Sequence, residues 1–385
     1  MKVNCKKFVI PVLFLVLFAL YLLIIVFVRY QDMWDHACFA RDMLTGKRPT
    51  SGNFIFYWLV NIFSFFSPEK IPSKISLCFL LACASTYRFY LCEERIKKVV
   101  YSKNKIENQY WLAVFFAISL LFVFVIPIPS YFINHNFLIG NFSPNVWHNS
   151  TLIFLFPFAL LLFEQSYRQL VSFDIKRNVL ITCLIFLNVF IKPSYFFVFI
   201  CIYPLMLLVK YRFTKTFYRG IIPVVIGLLF LIFEFWTIYL TKNPLSSEKS
   251  SVIFQPFYSS PLFTNLWSIP FSLLFSLLFP ILYVVFNVEK LKSSTLFWYV
   301  FLSFLMSVII YLFVGESGPR ATHGNFWWQI IICSWICFFV SLLSLLKDFE
   351  VYGKNYKNKL LMLVYCTHVF VGLFYFGRLF IVNYW

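Results

Sequence analysis

The chain has 385 residues, of which 61% are hydrophobic and 12% charged, with a mean hydropathy of +0.81 and a formal net charge of +18. A water-soluble domain carries about 25% charged residues, so this composition excludes a soluble enzyme, a disordered tail, a disulfide-stapled secreted module and a collagenous chain. The apolar residues come in blocks long enough to cross a bilayer, and the expectation is an all-α, polytopic transmembrane helical bundle forming one membrane domain over 1–385.

A spanning helix needs about 20 mostly apolar residues. Residues 8–28 supply the first span. Lys2, Lys6 and Lys7 precede it, but the apolar stretch is too long for a signal-peptide core and no small-residue cleavage site follows, so it reads as uncleaved. Residues 29–74 form the first external loop. Within it, 54–66 is apolar over only 13 residues and ends in Ser67-Pro68-Glu69-Lys70, which predicts an interfacial helix and not a span. The remaining spans, over 75–382, are 75–90, 111–126, 151–163, 179–191, 195–209, 221–240, 266–286, 296–314, 326–346 and 360–382, giving eleven in all. Lys192-Pro193-Ser194 interrupts the long run 179–209 and predicts two short helices meeting at an external break.

Placing the N-terminus inside puts 1–7, 91–110, 164–178, 210–219, 287–295 and 347–359 in the cytoplasm, and these hold 21 of the 33 Lys and Arg. The charge of +18 is thus largely a positive-inside signature, and nucleic acid is not an expected partner. Cys78, Cys83, Cys183, Cys201, Cys333, Cys337 and Cys366 fall in apolar runs, Cys5 sits at the basic N-terminus and Cys38 in a polar loop, so no disulfide framework or zinc spacing is present.

With that orientation the long loops (29–74, 127–150, 241–265 and 315–325) and four of the five histidines (His36, His135, His148 and His323) are external, so the expected site faces outward. The first loop runs Tyr30-Gln31-Asp32-Met33-Trp34-Asp35-His36, and a helix here sets Asp32 and His36 on one face at i,i+4. A carboxylate at the lipid boundary can act as a general base or bind a cation; an interfacial helix with its charges in water has the same pattern. The second loop carries Asn145, Trp147 and His148, a mixture suited to a saccharide, since hydroxyls need paired donors and acceptors and the sugar face stacks on an aromatic ring. Asn149 or Ser150 reads as the N-cap of the next span. The fourth loop places Glu316, Arg320 and His323 beside glycines; Arg320 and His323 suit an anionic group such as a lipid-linked phosphate, while Glu316 can pair with Arg320. Lys192 and Arg378 can bind phosphate or snorkel to the interface. Glu234 and His368 lie inside spans without an obvious sequence partner, and ionisable residues there are functional candidates. Gly-rich phosphate loops and the H-E-x-x-H, G-x-S-x-G and Asp-rich metal signatures are missing from the sequence.

The first span, the acidic external segment Gln31-Asp32-Met33-Trp34-Asp35-His36, the short helices of that loop and the Lys192-Pro193-Ser194 break together resemble the GT-C superfamily of integral membrane glycosyltransferases. The resemblance is architectural over most of the chain and reaches motif level only around 31–42. It implies a polyprenyl-phosphate-linked sugar donor, a glycan or lipid acceptor outside the cytoplasm, membrane lipids as neighbours and a multi-pass protein of the bacterial inner membrane. It also implies an acidic base in the first external loop, matched best by Asp32 and next by Asp35, with His36 beside it. Arg320, His323, Lys192 and Arg378 are then the candidates for the donor phosphate, and Asn145, Trp147, His148 and Glu316 for the sugar or acceptor. The Asp-Asp or Asp-Glu pair of many relatives is missing, which leaves a divalent metal open; no other cofactor is implied. A repeat-unit polymerase for O-antigen or capsule shares the donor and the side of action, and a lipid-linked glycan flippase or transporter is the alternative from another class.

Overall fold

A computed structural model describes residues 5–28, 32–100, 107–127, 141–240, 250–254, 256–257 and 269–382, and about 81% of them are helical. The α-helices, in order, are α1 (Val9–Phe27), α2 (Asp32–Leu44), α3 (Phe54–Phe63), α4 (Lys70–Val100), α5 (Glu107–Ser119), α6 (Ser150–Val171), α7 (Ile175–Ile191), α8 (Ser194–Tyr211), α9 (Lys215–Phe235), α10 (Ile269–Ser276), α11 (Leu278–Leu291), α12 (Thr295–Phe313), α13 (Trp328–Tyr352) and α14 (Tyr356–Val382). Two short strands, β1 (Ser251–Phe254) and β2 (Val314–Ser317), pair antiparallel with Val252 opposite Glu316. Among the described residues, α1, α4, α6, α8, α9, α12, α13 and α14 are long and apolar enough to cross a membrane, eight in number; α10 and α11, bent by 75°, make a ninth if counted as one broken span.

The all-α membrane class therefore stands, with fewer full-length spans than hydropathy suggests. Two of the eleven expected segments fall short. Helix α5 stops at Ser119 and the chain continues unwound to Pro127, although 111–126 is apolar throughout. Helix α7 has 17 residues, about 25 Å at 1.5 Å each, against a hydrocarbon core of about 30 Å. The short apolar stretch of the first loop is the ten-residue α3, and the Lys-Pro break is present: Lys192 is extended at φ −170° and ψ 116°, as a residue before proline prefers, and Pro193 opens α8.

Helix α13 is apolar on every side and correspondingly buried almost throughout, which marks the centre of the bundle. Helix α4 packs beside it and also against α1, α2, α3, α5 and α6. Helix α2 follows the pattern expected of an interfacial helix: Asp32 and Asp35 lie in its first turn and Arg41 in its last, complementing the helix dipole, while Met33, Ala37 and Ala40 bury one stripe. Asn61 on α3 donates to the Ala40 carbonyl (2.9 Å), and Ser76 on α4 donates to the Val60 carbonyl (2.7 Å), so α2, α3 and α4 are locked together.

Two ionisable residues inside the bundle hold structure. Arg88 on α4 is buried; both terminal nitrogens donate to Asn145 Oδ1 at 3.3 Å, and its guanidinium lies 4.5 Å from the Phe156 ring centroid. His368 on α14 joins two helix breaks. Its Nδ1 donates to the Phe124 carbonyl at 2.6 Å, which leaves Nε2 to accept from the Phe279 amide at 3.4 Å, and the Phe124 amide donates back to the His368 carbonyl at 3.2 Å. The unwound end of α5 and the start of α11 thus find the partners that apolar surroundings demand. His368→Phe keeps the ring volume but strands a carbonyl and an amide, each costing about 1–3 kcal/mol; the expected outcome is a lower melting temperature in detergent, with ligand binding intact once folded.

Candidate functional site

The loop-rich end of the bundle contains a cavity of about 680 Å³, within the range of small-molecule sites. Its walls come from α2, the 48–53 segment, the break between α7 and α8, the C-terminal part of α9 and the turn after β2. It brings His36, Arg48, Lys192, Arg320 and His323 together with Glu234, the one carboxylate among the described residues of its lining. A second cavity, about 560 Å³ between α1 and α4, is lined by Ile10, Phe14, Tyr87 and similar residues and carries no charged side chain. The first is therefore the candidate site.

A hydrogen-bonded chain leads from its wall, at Lys192 and Thr151, to Asn149 and Asp32, which lie just behind the lining. Lys192 Nζ donates to Thr151 Oγ1 (3.4 Å), Thr151 to Asn149 Oδ1 (3.2 Å), and Asn149 Nδ2 to Asp32 Oδ2 (3.0 Å). Asn149 also caps α6, its Oδ1 accepting the Leu152 amide at 3.0 Å. The cap thus aims its own amide at Asp32 and fixes the start of α2 to the start of α6. His36, one turn beyond Asp32, shares a 2.8 Å hydrogen bond between Nδ1 and the Tyr57 hydroxyl.

The opposite wall is built on Glu316. Arg320 Nε (2.6 Å) and Tyr239 donate to its Oε1, and Asn325 Nδ2 (2.5 Å) donates to its Oε2, so both oxygens of this carboxylate are engaged. Strand β2 supplies Glu316, and a 3₁₀ turn over Gly318–His323 carries Arg320 and His323 to the cavity, ending on Gly324 at φ 62°, a left-handed position glycine accepts without strain. Lys192 has its ammonium 5.0 Å from the Trp328 ring centroid.

Burial sets the protonation states. It brings His36 and His148 each down to about 4, against the pull of Asp32, and it lowers His323, helped by Arg320. At neutral pH all three are uncharged imidazoles, so His323 offers an N–H and not a full charge. Burial also lowers Lys192 to about 8, again opposed by Asp32, so its ammonium persists at pH 7. Arg320 is held above its usual value because the Glu316 carboxylate outweighs the cost of burial. Fixed positive charge in the cavity therefore rests on Arg48, Lys192 and Arg320, which suits an anion of phosphate type.

The other residues singled out in the sequence lie elsewhere. Asp35 is exposed on α2, its carboxyl raised by partial desolvation and by Asp32. Asn145 is occupied by Arg88 and the Leu121 carbonyl; Trp147 is packed among Tyr21, Phe122 and Phe376; neither lines the cavity. His148 is buried 6.1 Å from the Trp328 ring centroid, behind the wall but within electrostatic reach of Asp32 and Lys192. Arg378 lies on α14 one turn beyond Tyr375, outside the lining. His135, Tyr30, Gln31 and much of the loops 127–150 and 241–265 lie outside the described residues. Among the described residues no group of three or more His, Cys, Asp or Glu is placed to hold a metal ion.

Sequence reasoning passed over Arg48, Asn53 and Tyr57, and it saw Asn149 only as a cap. Asn53 carries Glu234: its amide donates to Glu234 Oε1 (2.9 Å) and to the Val189 carbonyl (3.2 Å). The Gly-Asn pair at 52–53 is the signal that could have found it, because the neighbouring backbone approaches α9 closely. A Cβ on Gly52 would lie 2.6 Å from Thr237 Oγ1 and 3.1 Å from Glu234 Cγ. Gly52→Val is therefore expected to push the 51–53 segment off α9 at about 1–3 kcal/mol, the usual cost of overpacking, and to weaken ligand binding as the Asn53–Glu234 bond is lost; thermal melting and ligand titration check both. No protein-family model matches this chain, and no curated protein sequence matches it.

Proposed function

We propose that this protein is an integral membrane glycosyltransferase that moves a sugar from a polyprenyl-phosphate carrier to a glycan or lipid acceptor on the extracytoplasmic face. The observation that carries the reading is the cavity at the loop-rich end, where Arg48, Lys192 and Arg320 face the space and the chain Asp32–Asn149–Thr151–Lys192 ties a carboxylate to one of those cations. Transfer needs one displacement at the anomeric carbon. Asp32 takes the proton of the acceptor hydroxyl as its oxygen bonds to that carbon. The bond from carbon to phosphate oxygen breaks, and the electron pair leaves with the phosphate. The departing phosphate needs charge stabilisation more than a proton, and Lys192 and Arg320 supply it, with His323 as a neutral donor. The basic loops at the other end of the bundle favour a cytoplasmic N-terminus and hence a site on the outside.

The test is binding of a short-chain prenyl phosphate to the full-length protein in detergent, followed by native mass spectrometry. The reading expects a one-to-one complex that competes with inorganic phosphate and weakens in Arg320→Lys. A wild-type protein that binds no prenyl phosphate overturns it.

A lipid-linked glycan transporter is the second reading, favoured by the broken pair α10–α11 and the unwound end of α5, since discontinuous helices mark transporter sites. Against it, that break is tied off by His368 and does not line the cavity. Movement of a labelled lipid-linked glycan across liposomes without any transfer product selects the transporter.

A further inference from the structure

The carboxylates around the cavity differ in how far their oxygens are used. An ionised carboxylate has about four acceptor sites. Glu316 has three donors on its two oxygens and serves the wall. Glu234 is 5% exposed, lines the cavity and has one side-chain hydrogen bond, from Asn53 to Oε1; its Oε2 accepts none among the described residues. A carboxylate buried this deeply with a single donor is costly to keep ionised, and the cavity is the face from which further donors can reach it.

Asn53 sharpens the chemistry. Its two amide hydrogens are spent on Glu234 Oε1 and the Val189 carbonyl, which leaves only its Oδ1 to meet a ligand. With Glu234 ionised, its Oε2 and Asn53 Oδ1 thus offer acceptors and no donor on one platform: Val189 lies in the last turn of α7, Glu234 sits on α9, and Gly52 allows the 51–53 segment to touch both. The cations Lys192 and Arg320 belong to other walls of the same cavity.

Resting on the glycosyltransferase reading, we propose that Glu234 and Asn53 form the sugar subsite of the cavity and select a glycosyl phosphate whose ring presents hydrogen-bond donors, a neutral or amino sugar, against one bearing a carboxylate. Hydroxyl or ammonium hydrogens of the ring meet Glu234 Oε2 and Asn53 Oδ1 while the phosphate meets the basic wall. A uronic acid brings its carboxylate to an acceptor-only surface beside a buried carboxylate and is rejected by like charge and by unpaired lone pairs.

Binding of four probes to the full-length protein in lipid nanodiscs separates the claims: inorganic phosphate, glucose 1-phosphate, glucosamine 1-phosphate and glucuronic acid 1-phosphate. Wild type is expected to bind glucose 1-phosphate and glucosamine 1-phosphate, which lack a ring carboxylate, about tenfold to a hundredfold more tightly than phosphate, as one or two hydrogen bonds to a charged group allow, and glucuronic acid 1-phosphate no more tightly than phosphate. Glu234→Gln is expected to erase most of the sugar preference and to admit the uronic acid, while phosphate affinity changes less than about threefold. Phosphate binding with no preference among the sugars, or a preference unchanged in a folded Glu234→Gln, overturns the subsite and leaves the phosphate site standing. Absence of phosphate binding in wild type overturns the reading on which the subsite rests. The comparison of sugars in wild type alone decides the matter should the variant fail to fold.

Discussion

Asp32→Asn is expected to reduce sugar transfer by about 10²- to 10⁴-fold, the range a positioned general base contributes, with little change in how the protein binds its donor. The substitution keeps the shape and the acceptor oxygen, so the hydrogen bond from Asn149 Nδ2 at 3.0 Å survives and with it the junction between α2 and α6. What is lost is the capacity to take a proton from the acceptor hydroxyl. In the proposed site the donor phosphate would meet Lys192 and Arg320 on other segments, and removing a negative charge near Lys192 is expected to hold or slightly strengthen anion binding. The expected signature is therefore a fall in kcat at nearly constant prenyl phosphate affinity, measured by transfer in proteoliposomes and by native mass spectrometry. Asp35→Asn, on the exposed neighbour, is expected to stay within about threefold of wild type, in the range of a surface change. Transfer retained above a tenth in Asp32→Asn removes Asp32 as the base, and an equal loss in Asp35→Asn moves the assignment to α2 as a whole.

The parts of this molecule that could be read from the sequence are those set by local physics. The membrane class follows from hydropathy, the break at Lys192-Pro193 from proline stereochemistry, and the start of α6 from the capping chemistry of Asn149. What could not be read there has long-range causes. Residues 111–126 look like a span because hydropathy cannot register that the backbone after Ser119 is unwound and satisfied by partners from α10 and α14: the Ile126 amide reaches the Phe275 carbonyl, and Phe124 is held by His368. Glu234 looks stranded because its partner, Asn53, lies 181 residues away. Trp147 and Asn145 have the composition of a sugar pocket, yet an aromatic ring and an amide serve equally well as interior packing and as a partner for Arg88. The basic wall was visible in Lys192 and Arg320 one at a time; only the fold, through β1 pairing with β2 and the helical turn Trp236–Leu240 after α9 reaching Glu316 by Tyr239, sets them in one cavity.

Lys192→Met is expected to lower prenyl phosphate affinity by about tenfold to a hundredfold, the loss of one charge-assisted contact in a desolvated site, and transfer by about 10²- to 10³-fold, because the same contact strengthens as the phosphate departs. The pH dependence identifies the group. Burial lowers Lys192 to about 8, with Arg320 adding to the decrease and Asp32 and Glu316 opposing it, while Thr151 and the Trp328 ring complete its surroundings. Its ammonium is present below that value and lost above it. Anion affinity should accordingly hold from pH 6.5 to about 8 and then fall by up to tenfold per pH unit, until the still higher value that the bound anion itself induces is reached. Above pH 8 the imidazoles of His36, His148 and His323, all lowered from their usual value, are neutral, and Arg320 is held above its own, so none of them produces a limb there. Lys192→Arg should keep the charge and abolish the limb, because a guanidinium does not titrate below pH 12. A wild-type affinity flat from pH 7 to 9.5, or a limb that persists in Lys192→Arg, removes Lys192 from the phosphate site and leaves Arg320 and Arg48 as its cations among the described residues.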